Sequence, residues 1–297
     1  KLYDTNGNVS NSCTTVFTVS DPEPPTVLTV GTQTRNTDAG QPDYTANSID
    51  DISWNPTVTD NCAVQTITYQ IDGGTVIGTD LTTTIIGEKF AVGTHTVVWT
   101  ATDIYGNTNT GSYQVIIEDN EHPIAVCNPL TISLDATGNY TLTAGNIAAI
   151  GLGSTDANGP LTMTVTPNIF DCADTGTNTV LLTVTDAYGN ASTCNATLTV
   201  QDVIPPTPIC KPLTVFLDAL GSATILPADL NNGSSDSCGI ASFTADKTVF
   251  DCTNVGVNTV VLTVKDKAGN IATATAKVTV VNKFVDNDND GIPDNCD

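Results

Sequence analysis

Positive charge is scarce in this sequence: Lys and Arg total 9 against 32 Asp plus Glu, and the formal net charge is −23 over 297 residues. Phosphate neutralisation needs clustered cations, so nucleic-acid binding is excluded and docking on an anionic membrane surface is disfavoured. Histidine is nearly absent. His95 lies in a loop-to-strand segment and His122 in a linker, and neither has a Ser, Cys or Asp partner spaced as a triad. Neither a Gly-rich phosphate loop nor a Cys or His cluster at zinc spacing occurs. The chain therefore reads as a non-enzyme. No apolar run approaches ~18 residues, so this segment carries no membrane-spanning helix. Aromatic residues make up only 5%, which limits each core to Val, Ile, Leu and Ala and suits small two-layer β domains. Helix signals are few, the best being the short stretch 143–150. No signal peptide is visible, but Lys1-Leu2-Tyr3 reads as the middle of a domain, so an upstream part is expected.

What is present is a repeat. Asp-x-x-Gly-Asn occurs as Asp4-Thr5-Asn6-Gly7-Asn8, Asp103-Ile104-Tyr105-Gly106-Asn107, Asp186-Ala187-Tyr188-Gly189-Asn190 and Asp266-Lys267-Ala268-Gly269-Asn270. The copies start at positions 4, 103, 186 and 266, hence 99, 83 and 80 residues apart. Alternating apolar runs flank them, such as 97–102 and 113–117 around the second copy, and Gly-Asn between such runs marks a hairpin. After each hairpin comes an acidic, proline-bearing joint: Asp21-Pro22-Glu23-Pro24-Pro25, Asp119-Asn120-Glu121-His122-Pro123 and Asp202-Val203-Ile204-Pro205-Pro206. Proline removes a ladder donor and stiffens φ, so a strand ends there and the next domain starts at a restricted angle. The expected organisation is a fragment of a preceding domain (1–22), three complete domains (23–121, 122–204 and 205–283) and an acidic tail (284–297). Short stiff joints between similar domains predict a semi-rigid rod.

Asp60-Asn61-Cys62 ahead of a strand, then Phe90-Ala91-Val92-Gly93-Thr94-His95-Thr96-Val97, then Asp103 and Gly106-Asn107, resembles a hyalin repeat (HYR domain). The two later domains, with Phe170-Asp171-Cys172 and Phe250-Asp251-Cys252, resemble the variant found in tandem in giant Bacteroidetes surface proteins, among them gliding-motility adhesins exported by type IX secretion. The resemblance covers about 260 residues. It implies an all-β chain of tandem immunoglobulin-like β-sandwiches forming an elongated rod, extracellular and at a bacterial cell surface. A shared fold does not by itself fix the role.

Nine cysteines suggest an oxidising compartment. Cys127 and Cys172 occupy places equivalent to Cys210 and Cys252, and the first domain lacks both, with Leu28 near one place and Val92 at the other. Joint presence and joint absence predict the bridges Cys127–Cys172 and Cys210–Cys252. Cys62 and Cys238 sit in an Asp-x-Cys loop, while Cys13 and Cys194 follow a Gly-Asn turn. In hyalin repeats these two places bond within one domain, yet here Gly111, Asn158 and Ala274 stand where the partners would be. Matching across joints suggests inter-domain bridges Cys13–Cys62 and Cys194–Cys238. The opposing consideration is reach: eight strand residues separate Cys194 from the joint, ~26 Å at ~3.3 Å per residue, against ~7 Å for a disulfide. Free thiols are the alternative.

The tail, Asp286-Asn287-Asp288-Asn289-Asp290-Gly291-Ile292-Pro293-Asp294-Asn295-Cys296-Asp297, sets acids at loop positions 1, 3, 5, 9 and 12 and glycine at 6. This spacing lets one tight loop wrap a Ca2+ ion through Asp286, Asp288, Asp290, the carbonyl of Ile292, Asp294 and Asp297. It resembles a thrombospondin type 3 repeat; the alternative is a solvated acidic linker. Each joint also collects acids: Asp21, Glu23, Asp60 and Asp103; Asp119, Glu121, Asp156 and Asp186; Asp202, Asp236 and Asp266. Calcium there would stiffen the rod. The simpler reading, which the sequence favours, is that each Asp caps its own turn.

The expected function is a structural stalk of a secreted bacterial surface adhesin or filament. Its partners are further repeats of the same chain, a surface or polysaccharide target, and sister chains through lateral self-association. Two other readings stand beside it. An accessory domain set of a secreted enzyme is one. The other is a polysaccharide-binding module, for which Trp54 and Tyr44 are the only candidate platform, Trp99 belonging to a core strand.

Overall fold

In the computed structural model, residues 2–12, 14–285 and 296 are described. The chain divides into two compact units, Lys1–His122 with Asp156–Pro160 and Ala187–Asn190, and Pro123–Thr155 with Leu161–Asp186 and Ala191–Asp297.

The first unit contains eight strands: β1 (Thr26–Leu28), β2 (Gln33–Asn36), β3 (Asp43–Thr45), β4 (Thr57–Thr59), β5 (Val64–Ile71), β6 (Lys89–Ala91), β7 (Gly93–Asp103) and β8 (Thr108–Glu118). The sequence alternation becomes an inside and an outside. Val97, Trp99 and Ala101 of β7 and Tyr113, Val115 and Ile117 of β8 face inward and are buried. One sheet runs β2-β8-β7-β5, with β2 parallel to β8 and the other pairs antiparallel. β3 pairs with β6 and β1 with β4. Tyr44 and Phe90 from β3 and β6 close one core with the inward residues of the larger sheet.

Trp54 and Tyr44 do not form an exposed platform, which corrects the polysaccharide-binding alternative. Trp54 is 0% and Tyr44 7% exposed. The stretch 44–54 folds inward because Asp51, itself 0% exposed, is satisfied on every side. The Arg35 guanidinium lies 2.8 Å away, the Tyr44 hydroxyl donates to Oδ2, and the Asn47 N–H donates at 3.0 Å. Arg35 also stacks over Trp54, 5.3 Å from the ring centre. Burial and the Asp51 hydrogen bond push the Tyr44 hydroxyl up to about 12. Asp51→Ala would strand Arg35 and the phenol, so a cost of about 3 kcal/mol is expected. It would be read as a lower urea midpoint at unchanged slope.

The second unit holds two sandwiches. The first comprises β9 (Leu130–Ser133), β10 (Asn139–Thr141), helix α1 (Ala144–Ile150), β11 (Thr162–Thr166), β12 (Ile169–Asp171), β13 (Gly176–Thr185) and β14 (Ala191–Gln201). The other comprises β15 (Leu213–Phe216), β16 (Ser222–Thr224), β17 (Ile240–Ala245), β18 (Val249–Asp251), β19 (Gly256–Asp266) and β20 (Ile271–Val281). The sheet orders β9-β14-β13-β11 and β15-β20-β19-β17 repeat that of the first unit, including the parallel first pair, and β10-β12 and β16-β18 repeat β3-β6. This is the strand order of immunoglobulin-like sandwiches. Val180, Leu182 and Val184 share one core with Ala196, Leu198 and Val200, and Val260, Leu262 and Val264 share the other with Ala276, Val278 and Val280. The short helix forms where the sequence expects it. The Thr143 hydroxyl accepts the Asn146 N–H, and the Asn146 side-chain oxygen accepts the Thr143 N–H, a reciprocal cap.

Candidate metal centre

Each Asp-x-x-Gly-Asn turn is built by its first residue. Asp103 Oδ1 accepts the N–H groups of Tyr105 and Asn107 at 2.8 and 2.9 Å, and Oδ2 accepts the Asn107 amide at 2.7 Å. Asp266 does the same with Gly269 and Asn270. The turn needs glycine at its fourth place because φ is +90° at Gly106 and +102° at Gly269. The Asn amide then reaches the joint: Asn107 Nδ2 donates to the carbonyl of Asp21 at 2.8 Å, and Asn270 Nδ2 to that of Asp202 at 3.1 Å. The joint acid and the turn acid are thereby brought side by side. Asp60 and Asp236 complete each group from the Asp-x-Cys loop, where Oδ1 accepts two successive backbone N–H groups.

Asp21, Asp60 and Asp103 each present one carboxylate oxygen, all within 4.8 Å of one another, and Asp202, Asp236 and Asp266 do likewise. Oxygens sharing an ion at about 2.4 Å can be no more than about 4.8 Å apart, so both groups fit around one calcium-sized cation. An all-oxygen set selects a hard cation. Asp103 and Asp266 are 0% exposed, and Asp202 is 6% exposed. Asp202 Oδ1 accepts the Ile204 N–H, but Oδ2 is buried with no hydrogen-bond donor among the described residues. A buried carboxylate oxygen without a donor, beside two further carboxylates, is a cost that a cation would remove. Capping and clustering therefore coexist, whereas the sequence reading favoured capping alone.

The electrostatics agree. Hydrogen bonding with the Cys62 thiol and then the Glu23 N–H hold the Asp21 carboxyl below the usual carboxylate range. Burial would raise Asp103, but the Asn107 side chain and the turn N–H groups outweigh it and hold it low. The Cys62 thiol is pushed up to about 11 by its hydrogen bond to Asp21, by burial and by the surrounding carboxylates. Glu23 borders the first group through Asn61, which donates to it at 3.1 Å. At the middle joint, Asp119 and Asp156 lie within 4.8 Å of each other in the first unit, Glu121 is bonded to the Gly40 N–H, and Asp186 is buried in the second unit. The expected tail loop of Asp286, Asp288, Asp290, Ile292, Asp294 and Asp297 lies outside the described residues, as does Cys13.

The disulfides differ from the sequence reading. Cys127 bonds Cys194 rather than Cys172, Cys172 bonds Cys238, and Cys252 bonds Cys296 rather than Cys210. The register explains the first: Leu130 of β9 lies beside Leu198 of β14 in a parallel pair, which carries Cys127 back to the level of Cys194. Cys194 thus pairs within its own sandwich and does not reach Cys238. Cys172 instead opens a single helical turn capped by Asp171, where its sulfur meets Cys238 of the following sandwich. Gly138 makes room for this bond, since a Cβ there would stand 2.7 Å from the Cys172 sulfur. Among the described residues Cys62 is exposed and Cys210 half-buried, each without a disulfide partner. The joint absence of cysteine at Val92 and Asn158, which hold the places of Cys172 and Cys238, was the sequence signal for the inter-sandwich bond.

Cys210 follows Asp202 by the same eight residues that separate Cys127 from Asp119, and Ala274 holds the place of Cys194. In the first sandwich these places are Thr29 and Gly111, and a Cβ on Gly111 would lie 2.9 Å from the Thr29 methyl. Ala274→Cys is therefore expected to form a bridge with Cys210, seen as a loss of two hydrogens by mass spectrometry. A gain of up to about 4 kcal/mol is expected.

No protein-family model and no curated protein matches the chain. Among solved structures it is similar to human CDH23 EC21-23, at 14% identity and TM-score 0.39 over 86% of this chain and 100% of that one. Mouse cadherin-23 EC22-24 gives 14% identity and TM-score 0.33 over 87% and 99%. Drosophila N-cadherin EC1-4 gives 13% and 0.31 over 89% and 76%. Likeness at these values carries no conclusion about function.

Proposed function

We propose that this chain is a load-bearing stalk segment of an extracellular adhesin or filament whose sandwich ends are braced by calcium at Asp21/Asp60/Asp103 and at Asp202/Asp236/Asp266. The observation that carries the reading is the buried Asp202 Oδ2, without a donor among the described residues and within 4.8 Å of its two neighbours' oxygens. An ion there ties the joint residue Asp202 to a loop and a hairpin of the sandwich that follows, so the cation acts on joint stiffness rather than on chemistry. The three disulfides accord with an oxidising, extracellular setting. The repeat motifs support the finer reading, a Bacteroidetes surface protein of the gliding-adhesin kind, with further repeats of the same chain as partners. The acidic tail is a third proposed calcium site.

Calcium titration by calorimetry tests this, comparing the wild type with Asp202→Asn and Asp21→Asn. Dissociation constants of about 0.1–1 mM are expected, as in extracellular modules, with one class of site lost in each variant. Unchanged binding in both variants would put all calcium in the tail and remove the joints from the reading.

A further inference from the structure

Cys62 is an exposed thiol, free among the described residues, in a place whose counterpart is covalently occupied. The two loops are built alike. Asp60 Oδ1 accepts the N–H groups of Cys62 and Ala63 at 2.8 and 3.0 Å, and Asp236 Oδ1 accepts those of Cys238 and Gly239 at the same two distances. Cys238 is bonded to Cys172, which belongs to a Phe-Asp-Cys turn of the preceding sandwich. The second such turn, at Phe250-Asp251-Cys252, has the same cap, with Asp251 accepting the Thr253 N–H at 2.9 Å. Its cysteine is bonded to Cys296, again further along the chain. Phe-Asp-Cys cysteines thus bond forward, and the Asp-x-Cys cysteine bonds backward. Where the forward place is Val92, the next backward place is Asn158, so the two are lost together.

We propose that Cys62 is the backward half of a repeat-to-repeat disulfide, and that its partner is a Phe-Asp-Cys cysteine of the repeat preceding it in the same chain. This inference rests on the stalk reading. The preceding repeat is represented by its closing hairpin: Asp4 Oδ1 accepts the N–H groups of Asn6 and Asn8, and the Asn8 amide donates to Oδ2 at 2.8 Å, as in the turns at Asp103 and Asp266. Cys172 and Cys252 each stand 14 residues before the turn aspartate of their own repeat, Asp186 and Asp266. The partner is accordingly expected 14 residues before Asp4. Bond formation joins the two sulfurs and breaks two S–H bonds. The two protons and two electrons pass to a disulfide oxidant of the thiol–disulfide oxidoreductase class, which leaves as a dithiol.

The test is non-reducing peptide mass mapping of the chain expressed with its natural upstream repeat, with and without EDTA. The expected result is a peptide pair joining Cys62 to a cysteine preceding Lys1, unaffected by EDTA. Cys62→Ser should release one further free thiol in a quantitative thiol assay without altering the Cys172–Cys238 peptide. Recovery of Cys62 as a free thiol, bonded to Cys13, or bonded to another chain would each overturn the proposal. Because the bond is read in the absence of calcium, its failure is distinguishable from failure of the calcium sites.

Discussion

Replacing Cys127 and Cys194 together by alanine is expected to lower the melting temperature of the second sandwich by roughly 15–30 °C. The bond closes a loop of 67 residues. Constraining such a loop in the unfolded chain contributes about 4 kcal/mol in the chain-entropy model, and each kcal/mol moves a domain of this size by about 4–8 °C. The core cannot compensate, since it is small and its buried side chains are chiefly Val, Leu and Ile around one phenylalanine. Calorimetry of the double variant checks this against Cys62→Ser, which alters the first unit and should leave the melting temperature of the second sandwich within about 2 °C. An equal fall in both variants would mean that the bond contributes nothing specific.

Removing calcium is expected to have the second large effect. At free calcium 100-fold above the dissociation constant, a site adds about 2.7 kcal/mol, which corresponds to roughly 10–20 °C for one sandwich. EDTA should therefore split or lower the thermal transitions, and magnesium should restore less because it resists dehydration and demands octahedral geometry. Asp60→Asn keeps an oxygen for the Cys62 and Ala63 N–H groups but removes one carboxylate, so the calcium-dependent increment should vanish while the EDTA-treated protein melts close to wild type. The pH dependence has a defined sign. Asp21 and Asp103 are held below the ordinary carboxylate range, so their contribution is complete above the unfolded value of about 3.9. It is lost as pH falls through the depressed folded values. Stability in EDTA should be flat across neutral pH in this respect and fall only in acid.

Strand positions were legible in the sequence because alternation at Val97, Trp99 and Ala101, or at Val180, Leu182 and Val184, translates directly into facing. The hairpin turns were legible because Gly106 and Gly269 occupy a backbone region that other residues avoid. The acid groups were half legible. Asp21, Asp60 and Asp103 could be assembled on paper from sandwich topology, but the unsatisfied oxygen of Asp202 depends on which donors happen to lie near it. The burial of Trp54 was not legible because it depends on Asp51 drawing in Arg35 and Tyr44, a long-range contact without local periodicity. The disulfides were misread because joint occurrence was scored within a repeat. Cys127 and Cys172 recur together within a repeat, but the bond obeys the junction between repeats, where the matching pair is Cys172 with Cys238.

The bonds Cys127–Cys194 and Cys172–Cys238 interlock, since 172 falls between 127 and 194. If the chain is pulled from its ends, the shortest covalent route from residue 127 to 238 crosses the first bond and doubles back from 194 to 172. It then crosses the second bond, leaving 22 residues in line instead of 111. At ~3.5 Å per extended residue the slack that unfolding can release falls from ~390 Å to ~80 Å. In a force-extension trace this stretch would behave as a nearly inextensible strap, so a pulling load that ruptured its hydrogen bonds would lengthen the molecule little and leave the sheets close enough to re-form.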